Sequence, residues 1–438
     1  MRVSPPRRLE DLLAVLMTVG VALGILVSSH MPARSYSLEA RQRAAVAADV
    51  ISGSSRGTQG LVGSLYLAPL PTVLVIFLGL LPFVPATPAL GAVVAAGATV
   101  FLALYVHRSW RAHGVPLALR FPAMLCVLLL PPVVLSIQAG QTVMVFVTLA
   151  VCGAGAIVSW LQSPSLRHLS LAAIFLGAAV IARYQGIVFV AGAAVIVTAA
   201  VLVQRRGLRA CEGTIITFLL PTAYVILLWI GGNWLILGSP LFFLKAAWGP
   251  PPFGADLRSL VEFDCPWLLL GVLGLFTLSV PLGAVLARAG GRGLPQKVAA
   301  GVAVLTLVGV ARLGAIPTGL RTSSADPVQV VKLLDATHPN GTFIVTGYAG
   351  YEFVAAAGAD PEHRWVHVMR LEPSGIGKVL DDYPGREVFL LVNAAQTRER
   401  WDEVGLRWET AGSRIPERFL FARQVGDWTV FEVLRSQG

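Results

Sequence analysis

The groups able to do charge chemistry are few in the first 316 residues, which hold 21 Lys/Arg and 8 Asp/Glu, and their spacing restricts what they can do. Glu39 stands four residues before Arg43 in the stretch Leu38 to Ile51, whose pattern predicts a helix. A carboxylate there either pairs with Arg43 at i,i+4 or is free to take a proton. Asp49, ten residues further along the same stretch, offers a second carboxylate or simple solvation. Arg183 opens the sequence Arg183-Tyr184-Gln185-Gly186 between two apolar runs. An arginine at the membrane end of a helix is costly unless it snorkels or meets an anion, and a lipid phosphate satisfies it, whether a specific ligand or a general headgroup. Arg312, in the last apolar run, carries the same two readings. Lys245 and Trp248 lie in a loop rich in Pro and aromatics, where they either contact a substrate or anchor the loop at the interface.

Metal and thiol chemistry find less support. His363 and His367 are spaced i,i+4, but in a segment that reads as a loop entering a strand, so no metal site is expected there. Cys126 and Cys152 lie inside apolar runs, Cys211 beside a basic loop and Cys265 at the end of a run, which implies no disulfide framework. Asn340-Gly341-Thr342 fits a glycosylation sequon and also reads as a turn before a strand.

The elements that must position these residues belong to a membrane protein. With 55% apolar residues, 13% charged residues and a mean hydropathy of +0.71, the chain is excluded from the water-soluble globules. Its net charge of +10 is topogenic and not a nucleic-acid footprint, because residues 1–316 carry a net +13 and residues 317–438, with 13 basic and 16 acidic residues, a net −3. Nine segments have the length of a span: 11–29, 88–106, 119–137, 141–161, 168–182, 187–204, 213–235, 267–287 and 297–315. The first follows Arg7 and Arg8 like a signal peptide, yet no convincing small-residue cleavage site follows, so it is taken as an uncleaved span.

Basic residues set the expected orientation. Arg2/Arg7/Arg8, Arg108/Arg111/Arg120, Arg167, Arg205/Arg206/Arg209 and Arg288/Arg292/Lys297 all fall on one side if nine segments cross, with the N-terminus cytoplasmic and the C-terminus outside. The segment Pro69 to Phe83, bounded by Pro69, Pro71, Pro82 and Pro85, then lies in the outer interface without crossing. If it crossed, the basic loops after Tyr105, Val203 and Ala287 would be external. The transmembrane domain is therefore expected over 1–316, with a first external loop at 30–87, and an extracytoplasmic α/β domain over 317–438. In that domain the pattern predicts a helix Pro327 to Thr337, capped by Asp326. It also predicts strands at Thr342 to Thr346, Arg364 to Val368, Glu387 to Val392, Phe419 to Val425 and Trp428 to Leu434, the last two joined by a Gly426-Asp427 turn.

Several motifs, in order, resemble GT-C glycosyltransferases of the protein mannosyltransferase and aminoarabinose transferase branch. Leu38-Glu39-Ala40-Arg41-Gln42 with Ile51-Ser52-Gly53, then Ser64-Leu65-Tyr66-Leu67-Ala68-Pro69-Leu70-Pro71, is similar to their first external loop. Ala182-Arg183-Tyr184-Gln185-Gly186 resembles a signature on their later helical hairpin. Trp229 to Asn233 with Gly238-Ser239-Pro240-Leu241-Phe242-Phe243 resembles a further external loop, and Gly426-Asp427-Trp428-Thr429-Val430-Phe431 a terminal strand of bacterial relatives.

The resemblance implies a polytopic α-helical GT-C-like fold and a bacterial cell-envelope enzyme of the plasma (inner) membrane. Such an enzyme moves a sugar with inversion from a polyprenyl-phosphate-linked donor to a glycan, lipid or protein acceptor on the outer face. It further implies Glu39 or Asp49 as general base, and Arg183, Tyr184, Gln185, Lys245 and Trp248 as donor or substrate contacts; a divalent metal is left open. The chain departs from the pattern where Leu38 takes the place of the family's first Asp, and where Ser136-Ile137-Gln138-Ala139-Gly140-Gln141 lacks the second acid. A non-catalytic member that binds a lipid-linked glycan or a partner protein is the alternative. A transporter is disfavoured, because the spans hold almost no ionisable group near the midplane.

Overall fold

A computed structural model describes residues 7–28, 36–62, 67–203, 208–241, 266–290, 327–346, 353, 357, 364–368, 381–382, 384–393, 419–425 and 428–434. The chain divides into two compact units, one of Met1–Arg43, Leu67–Ile230 and Leu257–Pro317, the other of Ala44–Tyr66, Gly231–Asp256 and Thr318–Gly438. The expected span at 297–315 and the residues Lys245, Trp248, Arg312 and His363 lie outside the described residues.

The protein is a polytopic α-helical membrane protein with a C-terminal α/β domain. Its helices run α1 (Arg7–Ser28), α2 (Leu38–Ile51), α3 (Ser55–Val62), α4 (Pro69–Gly79), α5 (Ala89–Ala112), α6 (Leu117–Leu129), α7 (Pro131–Gln138), α8 (Val143–Gln162), α9 (Leu166–Ala182), α10 (Gly186–Val203), α11 (Leu208–Leu237), α12 (Pro266–Gly290) and α13 (Pro327–Thr337). Eight of the nine expected spans fall on α1, α5, α6 with α7, α8, α9, α10, α11 and α12. Among the described residues, four helices are long and apolar enough to cross a bilayer alone, five if α6 and α7 count as one broken span.

That break differs from the single span read at 119–137: α6 and α7 meet at an angle of 50°. Its cause is Pro131 with Pro132, which supply no N–H to the ladder and force Leu130 to an extended ψ of 124°. At α4 the proline pair acts the other way, opening a helix of 11 residues that is about 17 Å long and too short for the apolar core of a bilayer.

Helix α8 is the centre of the first unit. It is 83% buried along its apolar stretch, against 22% for α1 and 17% for α11, so α8 contacts protein on all sides while the other two present leucines outward. Small residues permit the closeness: a Cβ on Gly153 of α8 would stand 2.6 Å from the Leu176 side chain of α9. Ala172, Ala173 and Leu176 of α9, Val190 and Val197 of α10 and Phe218 of α11 complete this core.

One end of the bundle, the end expected to be cytoplasmic, is tied by buried charge. Glu10 of α1 accepts a short hydrogen bond from Arg120 of α6 and lies 3.1 Å from His107 of α5, and Asp11 pairs with Arg111 at 2.7 Å. Trp110 donates to the Thr277 carbonyl of α12 at 3.2 Å, and Gln162 to that of Pro281 at 2.9 Å.

In the second unit α13 covers a five-stranded mixed sheet of order β2-β1-β3-β5-β4, with β1 (Thr342–Thr346), β2 (Trp365–Val368), β3 (Val388–Asn393), β4 (Phe419–Val425) and β5 (Trp428–Val433). β1 pairs in parallel with β2 and β3, and β5 antiparallel with β3 and β4. Alternation along the strands sends Phe343, Val345, Phe389, Leu391, Trp428 and Val430 to one face, where Val330, Val331 and Leu334 of α13 pack on them. Elsewhere in this unit Asn233 of α11 donates to the Val62 carbonyl at the end of α3 at 2.9 Å.

Candidate functional site

Glu39 sits in the first turn of α2, where exposed backbone N–H groups favour an anion. Ser37 fixes that turn by accepting the Ala40 N–H on its hydroxyl at 3.2 Å. Far from projecting into solvent, Glu39 is 7% exposed.

Its two oxygens have separate environments. Oε1 accepts from Arg43 Nε at 2.9 Å and, in a short hydrogen bond, from the Thr142 hydroxyl at the start of α8. Oε2 faces Arg183 Nη2 at 3.6 Å. Arg43, 1% exposed, also donates through Nη1 to the Ala68 carbonyl at 2.9 Å and to Thr72 Oγ1 at 2.6 Å, so it joins Glu39 to the start of α4. The i,i+4 pairing and the approach of Arg183 are therefore both present on one carboxylate.

Burial alone raises the pKa of Glu39, yet the Arg43 and Arg183 guanidinium groups and the Thr142 and Arg43 hydrogen bonds outweigh it and hold the carboxyl below its usual range. The group is ionised at neutral pH.

Arg183 reaches this place because α9 stops there. It caps the helix with extended backbone, φ −154°, its N–H bonded to the Ala179 carbonyl at 2.9 Å, and the cation complements the helix C-terminus. Gly186 lets α10 start at once, since a Cβ there would stand 2.6 Å from Val180 N. The Arg183 side chain is 15% exposed. Tyr184 is exposed, and Gln185 is half-buried with an Oε1 that has no hydrogen-bond partner among the described residues. Gln42, one turn along α2 from Glu39, is fully buried with both amide atoms in the same condition.

The turn where a second acid was expected lies against α2. Helix α7 ends with Ala139 and with Gly140 at φ 69°, and Gln141 N–H returns to the Ser136 carbonyl at 2.8 Å. Ser37 N–H donates to the Ala139 carbonyl at 2.8 Å, and a Cβ on Gly140 would come within 2.9 Å of the Ala40 methyl. Glycine is needed twice here, for the positive φ and for the approach. Gly140→Ala is expected to lower stability by about 1–3 kcal/mol, read as an unfolding shift in detergent, with Gly53→Ala, positive in φ but in open space, as the milder control.

The sequence pointed to Glu39 and Arg183 and missed Thr142, whose hydroxyl bonds Glu39, and Thr72, whose hydroxyl bonds Arg43. Both lie at ends of segments already marked, Thr142 after the turn lacking its acid and Thr72 after Pro69-Leu70-Pro71. Asp49, ten residues along α2, falls in the second unit and is half-buried; its carbonyl accepts from Ser52 Oγ and Ser54 N–H. Among the described residues no three His, Cys, Asp or Glu side chains gather to hold a metal ion. Glu39 is ringed by two guanidinium groups, a donor set that repels a divalent cation and does not fit one.

No model of a known protein family matches the chain, and no curated protein matches it by sequence. Among solved structures it is similar to the crystal structure of ArnT from Cupriavidus metallidurans bound to undecaprenyl phosphate, with 13% sequence identity, a TM-score of 0.41, and coverage of 96% of this chain and 98% of that one.

Proposed function

We propose that this chain is a GT-C-type membrane glycosyltransferase that takes a sugar from a polyprenyl-phosphate-linked donor and transfers it to an acceptor at the outer face of the membrane. The observation that carries the reading is the meeting of Glu39 and Arg183, which come from the two motifs whose resemblance to such enzymes is quoted above. A hydroxyl acceptor needs a carboxylate to take its proton, and a departing phosphate needs a fixed cation. Glu39 supplies the first and Arg183 the second. The buried amide atoms of Gln42 and Gln185, unpartnered among the described residues, are groups that sugar hydroxyls or phosphate oxygens would satisfy.

In the reaction the acceptor oxygen forms a bond to the anomeric carbon and gives its proton to Glu39. The bond from that carbon to the phosphate oxygen breaks, and its electron pair leaves on polyprenyl phosphate, whose charge Arg183 stabilises. Tyr184, Lys245 and Trp248 are proposed as further donor contacts. The test is binding and transfer by the full chain in nanodiscs with polyprenyl-phospho-sugar. Arg183→Ala is expected to weaken donor binding by on the order of tenfold or more, because it removes charge-assisted contacts to phosphate.

A second reading has its own observation. Glu39 is held below the usual carboxylate range by two guanidinium partners, as suits a non-catalytic protein that binds a lipid-linked glycan. Donor binding without transfer by the unmodified protein, given suitable acceptors, would favour it.

The reaction side follows from the orientation proposed: N-terminus cytoplasmic, Glu39, Arg183 and the C-terminal domain outside, in the plasma membrane. A reporter fused after Gly438 is expected to be external and one within Arg205 to Arg209 cytoplasmic. Phe77 near the end of α4 and Leu80, Leu81 and Phe83 just beyond it are exposed, as suits an interfacial segment. Cysteines at Ser64 and Thr87 should then both react with an impermeant external reagent, and labelling of a single one would mean that the segment crosses.

A further inference from the structure

The two oxygens of Glu39 are held by unlike partners. Oε1 is fixed by Arg43 and Thr142, and Arg43 is itself immobilised by Ala68 and Thr72 at 1% exposure. Oε2 has Arg183 at 3.6 Å, a distance for Coulomb attraction without a close hydrogen bond, and Arg183 is the more exposed partner. One contact is built to stay and the other is loose.

Resting on the glycosyltransferase reading above, we infer that Arg183 is an exchangeable counter-ion that the donor phosphate draws away from Glu39, so that the base becomes available only when donor is bound. A guanidinium prefers a phosphate that it can grip through two N–H groups over a carboxylate oxygen met at 3.6 Å. As Arg183 turns to the phosphate, Glu39 keeps its place through Oε1 and loses one of the two cations that suppress its basicity. Oε2 is then the oxygen that takes the acceptor proton: the O–H bond breaks, its electron pair forms the bond to the anomeric carbon, and the carbon–phosphate oxygen pair departs on polyprenyl phosphate. Without donor the carboxylate remains capped by Arg183, which keeps a fixed base from activating water or acceptor unproductively.

Exchange makes a prediction that simple proximity does not. If Glu39 and phosphate compete for Arg183, removing the negative charge of Glu39 must tighten phosphate binding. Undecaprenyl phosphate affinity is measured for the full chain in zwitterionic nanodiscs, for the unmodified protein, Glu39→Gln, Arg183→Ala and the double variant. Glu39→Gln is expected to bind about tenfold tighter, the size of one charge-assisted contact, and the gain is expected to vanish when Arg183 is alanine. Should Glu39→Gln fail to fold because Arg43 is left unpaired, Glu39→Gln with Arg43→Gln carries no unpaired buried charge and gives the same readout. Equal affinity in Glu39→Gln and unmodified protein, or an equal gain with and without Arg183, overturns the exchange and leaves the enzyme reading standing. Absence of binding by the unmodified protein overturns both.

Discussion

Glu39→Gln is expected to lower the rate of sugar transfer roughly 10²- to 10⁴-fold without weakening donor binding, because a general base contributes that much to a transfer that must remove a proton. Glutamine keeps an oxygen for Arg43 Nε and Thr142 Oγ1, so the surroundings of Oε1 survive and the loss is chemical. Single-turnover transfer with preloaded donor separates this from binding. Full activity in the variant would remove Glu39 from the mechanism. The assignment of the base would then pass to Asp49 or to another group.

The second large effect is on stability. Arg43→Met strips a buried carboxylate of its closest cation and leaves the Ala68 carbonyl and Thr72 hydroxyl without the donor that α4 brings them to. Removing one member of a buried pair typically costs about 3–5 kcal/mol, and reversible unfolding in mixed micelles should show a loss of that order. Arg43→Lys is not expected to rescue it, since an ammonium is a point charge and cannot make the Nε and Nη1 contacts together. The pH dependence has a definite sign. Because the Glu39 carboxyl is held below its ordinary range, its ionic contribution is whole above that range and disappears only as pH falls through the lowered value. An unmodified protein that lost this contribution near neutral pH would contradict the arrangement.

Hydropathy alone located the described apolar helices on which eight expected spans fall, because lipid leaves a chain few alternatives to long apolar helices. Strand alternation located β1 to β5 to within a residue at each end. The bend at Pro131 was visible in the proline pair yet was absorbed into one span by a count that weighs apolarity and ignores the missing N–H groups. The site was half legible. Glu39 and Arg183 are conspicuous because charged residues are scarce here, and their motifs have a known resemblance. Thr142 and Thr72 are ordinary residues whose importance comes from 103 and 29 residues of separation closed by folding, which no local pattern carries. Lys245 and Trp248 belong to a segment outside the described residues.

The buried charges at the opposite end of the bundle bear on how the chain is made. Glu10 lies in the first helix, and Arg120, which neutralises it, follows 110 residues later. At translation speeds of about 5–20 residues per second, the acid waits on the order of ten seconds for its partner. During that interval α1 holds a carboxylate that cannot descend into hydrocarbon without a high cost. Glu10 is therefore expected to hold the start of α1 at the membrane surface until α5 and α6 arrive and draw it into the bundle.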